Sequence, residues 1–228
     1  MKVIGLLGGM SWESSAEYYR VMNEEVKNRL GGLHSARILM LSVDFATIRA
    51  HMLANEWDKA GAILAQSAQT LEKAGADMIV IGTNTMHMVA PQIEAAVSVP
   101  VLHIADATAN AAKEMGVTKV GLLGTGFTME KDFYKGRLAE HGFEVIIPAA
   151  EDRAIVDRVI FDELCKGVFN DASRAEYLRI IDDLSRLGAQ AVILGCTEIG
   201  LLVHPGDTTV PTLDTCKIHA KKAVDQAL

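Results

Sequence analysis

The chain lacks a basic surface and any long apolar run. Among its 228 residues, 29 acidic side chains outnumber 22 basic ones, and the formal net charge is −7. Nonspecific nucleic-acid binding needs a basic field that replaces counterions along the phosphates, so it is not expected. No apolar run approaches the roughly 20 residues that span a bilayer, and the apolar N-terminal segment is too short for a signal peptide. These absences predict a cytoplasmic protein with no nucleic-acid or membrane partner.

Cysteine is also scarce. The three cysteines, Cys165, Cys196 and Cys216, are odd in number and form neither a CxxC motif nor a Cys/His cluster. A disulfide scaffold and a structural zinc site are therefore not indicated. Dinucleotide and phosphate-loop fingerprints are absent as well, which argues against nucleotide binding at 8–9. We expect no metal and no cofactor, and one free thiol with a function.

Strand and helix patterns alternate along the chain, and the pattern repeats. The segment 119–125 (KVGLLGT) resembles 3–9 (VIGLLGG), and the run that ends at Cys196 resembles the run that ends at Thr83. Each pair is separated by about half of the chain, which indicates a duplicated unit.

Alternating strands and helices predict parallel sheets flanked by helices. We therefore predict an α/β protein of two similar domains related by a pseudo-twofold axis. The first domain is predicted to contain 1–98 plus 210–228, and the second 99–209. This symmetry is expected to bring Thr83 and Cys196 to one cleft at the domain interface.

Cys196 follows a continuous aliphatic run, 191–194, which is typical of a buried parallel strand. The carboxyl ends of such strands are where open α/β sheets bind ligands. Two opposed tips with proton-transfer groups suit a reaction in which a proton leaves one face of a carbon and returns to the other. Backbone N–H groups at a strand-to-helix junction would favour a thiolate and a bound carboxylate.

Four ordered segments carry a family resemblance: 8–13 (GGMSWE), 84–87 (NTMH), 121–125 (GLLGT) and 195–198 (GCTE). Together they resemble the cofactor-independent aspartate/glutamate racemase family over essentially the whole chain. The resemblance implies two flavodoxin-like domains, catalysis at their interface without pyridoxal phosphate, and commonly a homodimer. It also implies an isomerase whose substrate is a small dicarboxylic amino acid.

The family pattern has a cysteine at each tip, whereas this chain has Thr83 at the first. A thiol can be tuned to a thiolate near neutral pH, but a threonine hydroxyl is not readily made a base. The resemblance therefore implies that Cys196 abstracts the α proton of L-aspartate or L-glutamate. Thr83, or a water it holds, would serve the opposite face, with turnover biased toward the L enantiomer.

Further site residues follow from the resemblance. Arg49 is a candidate partner for a substrate carboxylate, since a guanidinium can bind it bidentately. Lys166 lies near a family lysine, but a one-residue shift would place Cys165 there. His87 either orients the loop after Thr83 or simply packs. The complete set of implied substrate-binding residues is Met10, Arg49, Asn84, Thr85, Thr125, Thr128, Lys166, Thr197 and Glu198.

Two other functions remain open at this point. The same scaffold with a single thiol could be a decarboxylase or a cis–trans isomerase of a small dicarboxylic acid. A chain with one tip cysteine replaced could also be a non-catalytic dicarboxylate-binding protein.

Overall fold

The computed structural model describes residues 1–228 and contains two compact units. The first unit comprises Met1–His103 and His219–Leu228, and the second comprises Ile104–Ile218. Each unit has one four-stranded parallel sheet flanked by helices, so the predicted α/β class is confirmed. None of the helices combines the length and apolarity that a membrane span requires.

The first unit is built on strands in the order β2-β1-β3-β4, all parallel. Ser11 begins the first helix, because its side chain accepts a hydrogen bond from the Ser14 N–H at 3.3 Å. A 3₁₀ turn, Thr85–Val89, follows the third strand. The elements are β1 (Ile4–Gly8), α1 (Trp12–Leu30), β2 (Ile38–Ser42), α2 (Phe45–Leu53), α3 (Trp57–Lys73), β3 (Met78–Ile81), α4 (Ala90–Glu94) and β4 (Val101–Leu102).

The second unit repeats this order with β6-β5-β7-β8, again all parallel, which confirms the duplication inferred from the sequence. A 3₁₀ turn, Leu164–Lys166, separates its two longest helices. The elements are α5 (Ile104–Glu114), β5 (Lys119–Gly124), α6 (Gly126–Glu130), α7 (Asp132–Glu140), β6 (Glu144–Ile146), α8 (Ala150–Asp162), α9 (Asp171–Arg186), β7 (Ala191–Gly195), α10 (Ile199–Leu202), β8 (Thr212–Asp214) and α11 (Thr215–Ala227). The last helix starts in the second unit and ends in the first.

The domain boundaries were predicted after residues 98 and 209. In the structure, the chain passes from one unit to the other one strand later in each case. β4 pairs with β3 and so belongs to the first sheet, while β8 pairs with β7 in the second. Both strands are entered through a proline, which marks the start of a strand but does not identify the sheet it joins. Backbone hydrogen bonding to the neighbouring strand decides that membership.

Burial of both faces of the second sheet holds β7 in place. Val192 and Leu194 pack on one face against α8 and α9, and Ala191 and Ile193 pack on the other against α5 and α7. This alternation follows the two-residue period of a strand. The residue that follows β7 is therefore delivered to a fixed position at the carboxyl edge of the sheet.

Candidate active site

The tip of β7 is formed by a glycine and the cysteine that follows it. A Cβ atom on Gly195 would lie 2.6 Å from the carbonyl oxygen of Leu123 and 3.4 Å from Cγ2 of Thr128. Only glycine allows β5 and β7 to approach this closely. The close approach sets Cys196 at the end of the strand, where its side chain is 8% exposed.

Cys196 donates a hydrogen bond to a buried carboxylate two residues later. Its Sγ lies 2.9 Å from Oε2 of Glu198, and the Thr197 hydroxyl donates to the same oxygen at 2.9 Å. The Cys165 thiol donates to the other oxygen, Oε1, at 3.8 Å. Glu198 itself is 1% exposed. Two thiols and one hydroxyl thus surround a single carboxylate.

Burial raises the pKa of the Cys196 thiol well above its ordinary value, and the Glu198 charge and hydrogen bond raise that pKa further. The backbone N–H of Glu198 acts in the opposite direction and favours the thiolate. The backbone N–H at this junction thus favours the thiolate, as expected, but it is not the dominant influence on Cys196. Desolvation and a neighbouring negative charge outweigh one N–H group, so the thiol is protonated and Glu198 is its acceptor.

Two predicted threonines lie beside this tip. Thr125 follows β5, which neighbours β7, and its side chain accepts a hydrogen bond from the Thr128 N–H at 3.2 Å to begin α6. The two hydroxyl oxygens are 3.2 Å apart, and both residues are buried. The structure therefore brings Thr125 and Thr128 to the same edge of the sheet as Cys196.

Lys166 does not join this group. Its side chain is 62% exposed and its Nζ lies 3.7 Å from Asp162. The preceding residue, Cys165, is the one that contacts Glu198. The 3₁₀ turn thus directs Cys165 toward Glu198 and Lys166 toward the surface.

The tip of β3 in the first unit is held by backbone and side-chain hydrogen bonds. The Gly82 N–H donates to the Leu7 carbonyl at 2.9 Å, and the Ser14 hydroxyl donates to the Gly82 carbonyl at 3.1 Å. His87 Nδ1 lies 2.8 Å from the Thr83 carbonyl oxygen. Thr83 is 8% exposed. Asn84 and Thr85, which follow Thr83 and were predicted to bind substrate, are also buried.

Met10 and Arg49 follow strands adjacent to β3. Met10 is buried in the loop after β1, and Arg49 is half-buried on α2, which follows β2. Parallel strands end at a common edge, so the loops after β1, β2 and β3 share one edge of the first sheet. Met10 and Thr83 lie in these loops, and Arg49 lies on the helix that follows the loop after β2.

Sequence reasoning missed the surroundings of His87. His103 and His219 are buried and pack near it, and Tyr18 contacts His219. His219 lies near His87 because α11 ends in the first unit. The spacing of these histidines along the sequence therefore gave no indication that they are neighbours. No group of three or more His, Cys, Asp or Glu side chains in the structure has an arrangement that could hold a metal ion.

The model of the Asp/Glu/hydantoin racemase family matches residues 7–223. Among curated proteins, the broad specificity amino-acid racemase RacX of Bacillus subtilis is 28% identical over 163 residues, which cover 71% of this chain and 69% of RacX.

Solved structures extend this similarity over the whole chain. A Yersinia pestis protein assigned as an Asp/Glu racemase is 52% identical, with a TM-score of 0.92 and coverage of 100% of this chain and 99% of that one. An aspartate racemase homologue from Pyrococcus horikoshii is 35% identical, with a TM-score of 0.87 and the same coverage.

Proposed function

Because the chain belongs to the Asp/Glu/hydantoin racemase family, we propose that it is a cofactor-independent racemase of L-aspartate or L-glutamate. In this proposal Cys196 and Thr83 act on opposite faces of one Cα. The relatives that support it are amino-acid racemases and their homologues. We further propose a homodimer that uses no pyridoxal phosphate, as the family resemblance implies, and a cytoplasmic location.

The hydrogen-bonded pair of Cys196 and Glu198 is the observation that carries the proposal. A protonated thiol is not a base, but the carboxylate at 2.9 Å is placed to receive its proton. When the S–H proton moves to Glu198, the sulfur takes the α proton of the substrate, and a carbanion forms at Cα. The pair thus gains one proton in all, while the substrate loses one.

Thr83 supplies the opposite face. Its hydroxyl, or a water that it holds, donates a proton to the carbanion and is then reprotonated from solvent. The pair of Cys196 and Glu198 releases its extra proton to solvent, which completes the balance. Since threonine is neither a ready acid nor a ready base, passage through the Thr83 face is the slow step of interconversion in both directions.

Substrate carboxylates need donors where negative charge develops in the transition state. We assign this role to Thr125 and Thr128 near Cys196 and to Asn84 and Thr85 beside Thr83. Arg49 is the proposed bidentate partner of a carboxylate. Met10 and Thr197 complete the proposed pocket.

Thermodynamics decides how the L bias is measured. The two enantiomers have equal free energy, so kcat/KM for interconversion must be the same from either side. The bias therefore lies in solvent exchange: L substrate loses and regains its α proton at Cys196 more often than it becomes D product.

The test is incubation of each enantiomer in D2O with wild type and three variants. We expect wild type to incorporate deuterium into L substrate at least about tenfold faster than it forms D product, and Cys196→Ala to lose about 10²- to 10⁴-fold of the exchange, the size of a general-base contribution. Thr83→Val should keep the exchange and lose D product, whereas Thr83→Cys should speed racemisation. Exchange that survives Cys196→Ala would contradict the proposal.

A single-thiol decarboxylase or isomerase is the second candidate, favoured by the protonated state of Cys196, which suits protonation of an enolate. Release of CO2 from a malonate, or isomerisation of an unsaturated dicarboxylic acid, without deuterium exchange at Cα of aspartate or glutamate would establish it. Dicarboxylate binding without any turnover would indicate a binding protein instead.

A further inference from the structure

Three almost fully buried histidines lie behind the tip of β3: His87, His103 and His219. All three belong to the first unit. The His87 ring is 4.4 Å from the His103 ring and 5.9 Å from the His219 ring, measured between centroids. The mechanism proposed above uses none of them.

The hydrogen bonds determine the tautomers of two of these rings. A carbonyl oxygen only accepts, so His87 Nδ1 carries a proton and donates it to Thr83 O at 2.8 Å. For the same reason His219 Nε2 donates to Leu102 O at 2.8 Å. His219 Nδ1 then accepts from the Tyr18 hydroxyl, also at 2.8 Å.

His219 remains uncharged within this cluster. Its pKa is lowered to about 3, first by burial and then by the nearby His87, although the bond to Leu102 opposes the shift. The neutral His219 ring is held by hydrogen bonds at both nitrogens and packs beside the His87 ring. The orientation of His87 is thus set by packing as well as by its own hydrogen bond.

The backbone on either side of Thr83 is pinned. The Thr83 N–H donates to Ile81 O at 2.9 Å, and the Gly82 carbonyl accepts from the Ser14 hydroxyl at 3.1 Å. The Thr83 carbonyl is held by His87. With these groups held, the direction of the Thr83 Cα–Cβ bond, from which the hydroxyl projects, follows from the backbone.

We propose that His87 is a positioning residue for Thr83: its Nδ1–H holds the Thr83 carbonyl, and this bond aims the Thr83 hydroxyl at the substrate. The role rests on the proposed function, since it concerns the face of Cα that Thr83 serves. A displacement of about 1 Å costs on the order of 100-fold in rate when reacting groups must be aligned. His87 itself transfers no proton to the substrate.

The matched pair His87→Asn and His87→Leu tests this role. Asparagine places an amide nitrogen where His87 Nδ1 lies, whereas leucine has the same size and branching but no donor. Any effect of the lost ring is common to both variants, so the difference between them isolates the hydrogen bond.

The readout is the ratio of D product formed to deuterium incorporated into L substrate in D2O. Exchange at the Cys196 face is the internal reference, so a general loss of folded protein leaves this ratio unchanged. We expect His87→Asn to stay within about threefold of wild type and His87→Leu to lower the ratio by about tenfold, since it loses a buried hydrogen bond.

Each other outcome overturns the inference in a distinct way. An unchanged ratio in His87→Leu refutes the positioning role while the proposed function stands, and an equal fall in both variants shows that the ring, not the bond, matters. Wild type without exchange or racemisation refutes the proposed function itself. Should neither variant fold, ¹⁵N NMR of the wild-type protein tests whether His87 Nδ1 is protonated. An unprotonated Nδ1 could not donate to the Thr83 carbonyl and would refute the inference.

Discussion

At the scale of single residues, the protonation state of Cys196 is the central property. A cysteine after a buried strand is commonly a small packing residue, but here a carboxylate lies 2.9 Å from its sulfur. The same carboxylate contacts Cys165. Cys196 and Glu198 are close in the sequence, whereas the fold brings Cys165 to the same carboxylate. All three residues therefore influence where the proton of the Cys196 thiol resides.

Glu198→Gln should lower the pKa of Cys196, because it removes the negative charge and replaces one of the two acceptor oxygens with an NH2 donor, without changing the side-chain size. We expect alkylation of Cys196 by iodoacetamide at pH 8 to rise about tenfold, which corresponds to a fall of about one pKa unit. Mass spectrometry resolves the alkylated cysteine.

Cys216 is the internal control for this experiment. It is buried in the same unit, so its alkylation should be equal in wild type and Glu198→Gln. Faster alkylation of both cysteines would indicate loosened structure, and an unchanged rate at Cys196 would contradict the role assigned to Glu198.

At the scale of elements, the strand tips owe their positions to close packing of neighbouring strands. β5 and β7 run side by side up to Gly124 and Gly195, and Thr128 on α6 packs against both glycines. Any atom added at the tip must push these elements apart. The position of Cys196 therefore depends on residue 195 being a glycine, which has no side chain.

Gly195→Ala should lower the free energy of unfolding by about 1–3 kcal/mol, the usual cost of overpacking, and should reduce deuterium exchange into L substrate. The added Cβ would contact Leu122 at 2.8 Å as well as the Leu123 carbonyl. Chemical denaturation and the exchange assay measure the two effects.

Gly136→Ala, on α7, provides the matched control. Its added Cβ would meet no atom closer than 3.9 Å, and alanine is the better helix former by about 1 kcal/mol. We expect unchanged exchange and equal or higher stability. Equal losses in both variants would argue against the close approach at β7.

At the scale of the whole molecule, the return of α11 to the first unit couples the C-terminal segment to the tip of β3. His219, on this helix, bonds to Tyr18 on α1 and to Leu102 on β4. The first unit is thus completed by residues from both ends of the chain, and its stability depends on keeping His219 neutral.

The first unit should lose stability as the pH falls below about 6.5. Folded His219 binds a proton only near pH 3, whereas the unfolded chain binds one near its ordinary pKa of about 6.5. Between these pH values the unfolded state holds more protons than the folded state. The free energy of unfolding therefore decreases as the pH decreases, by up to about 1.4 kcal/mol per pH unit.

His219→Gln should remove this contribution, since its amide can keep the bond to Leu102 without titrating. Both tryptophans, Trp12 and Trp57, lie in the first unit, so their fluorescence reports its unfolding. Between pH 7 and pH 4.5 we expect a shallower loss of stability in the variant. Parallel curves for the two proteins would show that His219 is not the titrating group.

The sequence by itself determined the local elements and the repeat. The aliphatic run 191–194 forms the predicted strand, β7, and the repeated segments 3–9 and 119–125 contain β1 and β5. These features follow from apolar periodicity, capping and glycine, which act between residues close in the chain. The repeat also predicted that Thr83 and Cys196 follow equivalent strands, β3 and β7.

Only the tertiary structure decided which residues surround those tips. It placed Cys165 rather than Lys166 beside Glu198, kept the Cys196 thiol protonated, assigned β4 and β8 to their sheets, and brought His219 to His87. Desolvation and contacts between distant segments exist only once the chain has folded, and no spacing along the sequence encodes them directly.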